Sequence, residues 1–118
     1  MATTPPTTPA PAPSLPTIHE AERAPGASGA VWWGTEIDFA TAVARRQVGQ
    51  DVVVCGDDLR ANRAAALAIE SAVGPAVRGQ PHKQSAGPLA LPHFQQATPP
   101  PGGHTFYETD KRKARKRP

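Results

Sequence analysis

The placement of proline sets the first limit on how this chain can fold. Seven of its 15 prolines fall in the first 25 residues, within MATTPPTTPAPAPSLPTIHEAERAP. Proline locks φ and removes a backbone donor, and this segment has few apolar side chains to bury. Open polyproline geometry is therefore favoured over packed structure. Residues 1–28 are expected to form a disordered or extended arm. The arm has neither a basic start nor an apolar stretch, so it does not read as a secretory signal. No apolar run approaches the ~20 residues that a membrane span needs.

Charge marks off the other end. Six of the 13 Lys and Arg lie in residues 111–118, KRKARKRP, while residues 1–110 carry seven basic against ten acidic groups. A basic tail over 111–118 is expected to be disordered. It would serve as a sequence-blind contact to nucleic-acid phosphates, a localisation signal or a solubilising end. The single Cys excludes an internal disulfide. What remains, residues 29–110, is about 80 residues, enough for one small domain with a modest core and expected to be a monomer.

Within that domain the strongest local signal runs from residue 51 to residue 75. DVVVC, residues 51–55, is a β-branched run that predicts a buried strand. A helix follows over Asp58–Val73, with Asp57 or Asp58 as its cap and Leu59, Ala66, Ile69 and Val73 as its apolar stripe. Gly74-Pro75 ends it. An earlier helix is expected from Thr35 to about Gly49, capped by Thr35, with Ile37, Ala40, Ala44 and Val48 on one face. Trp32 and Trp33 precede it as packing residues, or alternatively line a cleft. Residues 75–88 read as a loop, and strands near Leu89–Gln95 and His104–Thr109 flank the turn sequence QATPPPGG. The fold class expected is α+β, two helices packed on a short sheet.

Most local motifs have ordinary explanations. VVVCGDD lacks the glycine spacing of a dinucleotide fingerprint, and Asp57 and Asp58 would repel a phosphate at that helix start. Cys55 ends an all-valine strand beside two aspartates, which suits packing better than nucleophilic catalysis. Arg60, Asn62 and Arg63 decorate the first turns of the second helix as solvated residues, with anion binding as the alternative. His82, His93 and His104 are spaced by 11 and 11, without the close pair usual in zinc sites. No metal or other cofactor is called for.

ALPHFQQATPPPGGHTFYET, residues 90–109, is the exception. In a hairpin where Gln95 faces His104, His93 faces Phe106 and Leu91 faces Glu108. Strand alternation then places His93, Gln95, His104 and Glu108 on one side. The two histidines become diagonal neighbours roughly 7–8 Å apart, with room for a small reacting group between them. Two imidazoles so placed suit metal-independent RNA cleavage, one taking the 2′-hydroxyl proton and the other protonating the 5′-oxygen. Arg63, Arg78 and Lys83 are the candidate cations for the phosphorane. A shift of one residue would separate the histidines, leaving two surface imidazoles on an ordinary hairpin.

From DVVVCGDDLRANRAAALAIESAVGP through PHKQSAGPLALPHFQQATPPPGGHTFYETDKRKAR, the chain resembles a small domain found at the C-termini of bacterial polymorphic toxins, Rhs-type proteins among them. VVVCG before ANR, then ALPHFQ and GHTFYET near the chain end, carry the resemblance across residues 51–115. It implies a nuclease, an RNase especially, with RNA as substrate and an immunity protein as partner. His93 and His104 would be the active-site residues, with Thr105 and Glu108 adjacent. The alternatives are a non-catalytic adaptor with a Pro-rich arm and a basic tail, and a metal-dependent hydrolase using His82, His93 and His104.

Overall fold

In a computed structural model that describes residues 15–79 and 87–118, two helices lie on one face of a seven-stranded mixed sheet. The strands are β1 (Thr17–Arg23), β2 (Val31–Ile37), β3 (Val52–Cys55), β4 (Ala76–Gly79), β5 (His93–Gln96), β6 (Thr105–Tyr107) and β7 (Arg115–Lys116). The helices are α1 (Phe39–Gln47) and α2 (Leu59–Val73). The strand order is β4-β5-β6-β3-β1-β2-β7, with β3–β6 and β2–β7 parallel and the other neighbours antiparallel. The fold class is α+β, with a sheet larger than the short one expected.

The connections explain why both helices share a face. From β2 through α1 to β3 the chain steps across β1; from β3 through α2 to β4 it steps past β6 and β5, in the same direction. Right-handed crossovers that advance the same way place their helices on the same side. The core beneath them joins Ala42, Ala66 and Ile69 of the helices to Val52, Val54, Phe94 and Tyr107 of the sheet. The opposite face holds Val31, Val53, Leu91, Phe106 and Ala114. Alternation along β3 and β6 sends neighbouring residues to the two cores.

β3 and α2 follow the sequence expectation closely. Asp58 Oδ1 accepts from the Arg60 and Ala61 amides, and Gly74 is the C-cap. Ala66 and Ile69 are fully buried and Leu59 packs against them. Replacing Ile69 by Asp therefore combines lost aliphatic burial with an unpaired buried carboxylate. We expect a loss of several kcal/mol, on the order of 3–5, in a urea melt. An Ile69→Asp domain with an unchanged midpoint would show the helix to be seated otherwise.

Four expectations are corrected. The extended arm was expected to reach residue 28, yet β1 is a central strand paired with both β2 and β3. Backbone pairing on two sides, rather than its single isoleucine, holds this polar segment in place. The first helix begins later: Thr35, Glu36 and Ile37 belong to β2, where β-branched and aromatic neighbours favour a strand. Asp38 is the N-cap, accepting from the Thr41 amide at 2.8 Å. Its buried residues are Ala42 and Arg46, while Val48 stays 72% exposed. The loop after Gly74-Pro75 contains an edge strand, β4. The basic tail is also folded. β7 pairs with Trp32 and Trp33, the Arg112 guanidinium donates to Ala90 O at 2.8 Å, and Arg117 pairs with Glu22 at 3.1 Å. Residues 1–14 lie outside the described residues, as do His82 and Lys83. No helix among the described residues is long and apolar enough to cross a membrane.

Candidate functional site

β5 and β6 pair in the register that brings the two histidines together: His93 faces Phe106 and Phe94 faces Thr105. His93, Gln95, His104 and Phe106 thus share the face opposite the helices. The imidazoles are in edge-to-face contact, with ring centroids 4.2 Å apart and an interplanar angle of 67°. Phe106 lies 5.6 Å from His93 and 5.4 Å from His104, completing an aromatic triangle. This corrects the expected separation of diagonal neighbours. The rings lean together across the strands and touch, so a reacting group must sit at their common edge and not between them.

Each ring has its own tether. His93 Nε2 pairs with Gln95 Oε1 at 3.1 Å, and its Nδ1 is buried. Gly79 faces His93 across β4 and β5, and a Cβ there would collide with His93 Nε2, so the imidazole occupies the space of the missing side chain. His104 Nδ1 accepts a hydrogen bond from the Arg23 guanidinium. Arg23 also lies over the Phe106 ring, 5.8 Å from its centroid, and 3.6 Å from Asp51 Oδ2. The other Asp51 oxygen accepts from the His104 amide at 2.7 Å. Asp51 therefore positions both the histidine backbone and the arginine.

Arg23 and Asp51 were missed by sequence reasoning. Arg23 is 81 residues from His104 and lies in the proline-flanked N-terminal segment, with no local periodicity to single it out. Asp51 was absorbed into the start of a strand.

Other predicted site residues are placed elsewhere. Glu108 stands four residues beyond His104, roughly 13 Å along an extended strand. Its carboxylate accepts from the Gly56 and Ala114 amides at 3.0 and 2.7 Å, fastening β3 to the C-terminal segment. The Thr105 hydroxyl donates to Glu70 Oε1 at 2.9 Å on the helix side. Arg63 is exposed on α2, and Arg78 faces Phe94, so both belong to the helix face. Lys83 lies outside the described residues. Asn62, expected to be solvated, is buried and donates to Gly56 O and Glu108 O. Cys55 is half-buried, and burial, followed by the nearby Glu108 charge, pushes its thiol up to about 12, which removes it as a nucleophile. No group of three or more His, Cys, Asp or Glu among the described residues could hold a metal ion.

A cleft of about 410 Å³ opens beside the pair, between the β1–β2 turn and the segment 87–91. Leu91 and Phe106 line it, Ala24, Gly26, Ala27 and Gly29 leave it wide, and Arg23, His93 and His104 converge at it. Few polar groups gathered in a mainly apolar hollow is the usual form of a small-molecule site.

Both imidazoles are shifted below the ordinary histidine range. Burial pushes His104 down to about 3, helped by His93, Arg23 and Arg46. Burial also lowers His93, against the favourable Gln95 hydrogen bond. Between pH 6.5 and about 3 the unfolded chain binds protons at these positions more readily than the folded one, so stability falls as pH falls through that window. In His104→Gln, the urea midpoint should decline less between pH 7 and pH 4 than in wild type. An identical decline would mean that His104 titrates normally.

No protein family, curated protein sequence or solved structure matches the chain.

Proposed function

We propose that the cleft is the active site of a metal-independent ribonuclease, built on the paired imidazoles of His93 and His104 with Arg23 as the phosphate-binding cation. The observation that carries the reading is the convergence of these three side chains at the 410 Å³ cleft. Arg23, and not Arg63, Arg78 or Lys83, is the cation of this reading.

In this mechanism a substrate phosphodiester takes the Arg23 guanidinium from His104 Nδ1, which frees that nitrogen as a base. His104 removes the 2′-hydroxyl proton, the 2′-oxygen attacks phosphorus, and the P–O5′ bond breaks. His93, as the imidazolium and with its Nε2–H released from Gln95 Oε1, gives that proton to the leaving 5′-oxygen and is left neutral. The products are a 2′,3′-cyclic phosphate and a 5′-hydroxyl end, so no water enters the step. The guanidinium balances the charge that develops on the phosphorane. Gln95 Oε1 favours a protonated His93, which suits the acid, and the lower-titrating His104 suits the base. The resemblance of residues 51–115 to polymorphic-toxin domains supports placing this chemistry in an effector nuclease that an immunity protein would restrain.

The test is cleavage of a mixed-sequence RNA in excess EDTA, with product ends identified by mass. Cyclic phosphate ends formed in EDTA are expected. Intact RNA in the presence of folded protein would overturn the enzyme reading in favour of a binding module.

A further inference from the structure

His104 lines two cavities. Beside the large cleft, a second hollow of about 180 Å³ opens under the β5–β6 loop, lined by Gln95, Pro99, Pro101, Gly102 and His104. The two volumes differ in kind. The first falls within the range of self-sufficient ligand sites, roughly 300–1,000 Å³, and the second falls below it. The smaller hollow therefore makes sense as the extension of a ligand already anchored at His104. A further hollow of about 250 Å³ near Trp32 is lined by charges of both signs, Glu20 and Glu22 with Arg45 and Arg117, and does not reach the histidine pair.

We infer that the two hollows flanking His104 are adjacent nucleotide subsites, so that the ligand recognised is a dinucleotide step of single-stranded RNA whose linking phosphate lies at Arg23 and the histidine pair. This rests on the ribonuclease reading and adds to it the length and path of the substrate. One base enters the large cleft, where Leu91 and Phe106 offer apolar contact and the alanine and glycine wall admits a flat ring. The next nucleotide lies against the rings of Pro99 and Pro101 and the Gln95 amide. Arg23 can hold a linking phosphate because its guanidinium reaches His104 Nδ1 at the shared wall. A mononucleotide fills one side only.

The hollows can be blocked one at a time. A Cβ on Gly102 meets no atom within 4 Å, and its φ is outside the left-handed region, so Gly102→Leu adds a bulky side chain at the lining of the small hollow without strain. Ala27 is exposed and lines the large cleft, so Ala27→Phe narrows it. The probe is a 2′-deoxy dinucleoside monophosphate, which binds but cannot be cleaved. It is compared with nucleoside 3′- and 5′-monophosphates by calorimetry and by the shift of the His104 ring-proton resonance. Wild type should bind the dinucleotide about tenfold or more tightly than either mononucleotide, because two linked contacts act as one ligand. Each variant should lose that advantage while keeping its folded spectrum and its affinity for one mononucleotide. Equal affinity for dinucleotide and mononucleotide, or an unchanged advantage in both variants, would overturn the two-subsite inference. RNA cleavage without a dinucleotide advantage defeats this inference alone. A dinucleotide advantage without cleavage defeats only the catalytic reading, and no binding by any probe defeats both.

Discussion

Arg46→Met is expected to cost about 3–5 kcal/mol, the usual penalty for stranding one partner of a buried ion pair. Arg46 and Glu70 are both fully buried, joined across α1 and α2 by Arg46 Nε to Glu70 Oε1 at 2.9 Å and Nη2 to Oε2 at 3.3 Å. The carboxylate also accepts from the Thr105 hydroxyl and the Gln96 amide. Arg46 Nη1 donates to Gln50 O and Gly102 O, tying the helices to the loop that leads into His104. Methionine fills similar space but leaves the Glu70 charge without its cation. For a domain this small, a loss of that size lowers Tm by on the order of 15–30 °C. Arg46→Met combined with Glu70→Gln should recover much of the loss, because a neutral amide still accepts from Thr105 and Gln96. A single variant within about 1 kcal/mol of wild type would show that solvent reaches the pair.

His104→Ala is expected to lower kcat/KM for RNA cleavage by ~10²–10⁴, the range for loss of a positioned acid or base. His93→Ala should fall in the same range. Both rings are only partly buried at the cleft, so folded variants are expected alongside the loss, checked by their circular dichroism spectra. Two imidazoles with ordinary values would centre the bell near neutrality, but burial lowers both, His104 to about 3. The acid must be protonated and the base neutral in the free enzyme, so kcat/KM should peak below pH 6.5 and fall as pH rises past it. A rate that keeps rising to pH 8, or His104→Ala activity within threefold of wild type, contradicts the assignment.

Local pattern was sufficient for part of this protein. β3 and α2 could be read from residues 51–75 because their signals are short-range: a valine run, a capping aspartate, a 3.6-residue stripe and a Gly-Pro stop. The His93–Phe106 register could be read too, because alternation in a hairpin has only two solutions and one of them unites the histidines. The packing around these elements was not readable in the same way. β1 carries little apolar signal, and its place comes from backbone hydrogen bonds to strands on both sides, which any non-proline residue can make. Arg46 and Glu70 are charged residues 24 positions apart, and on composition both belong in solvent. Only the approach of two helices gives each its counter-charge. Arg23 is the clearest case. Nothing nearby distinguishes it, and its role depends on β1 running beside β3 so that its guanidinium meets His104 and Asp51. Periodicity reports which face of one element is buried. The identity of the group that meets that face from a distant part of the chain depends on the tertiary fold.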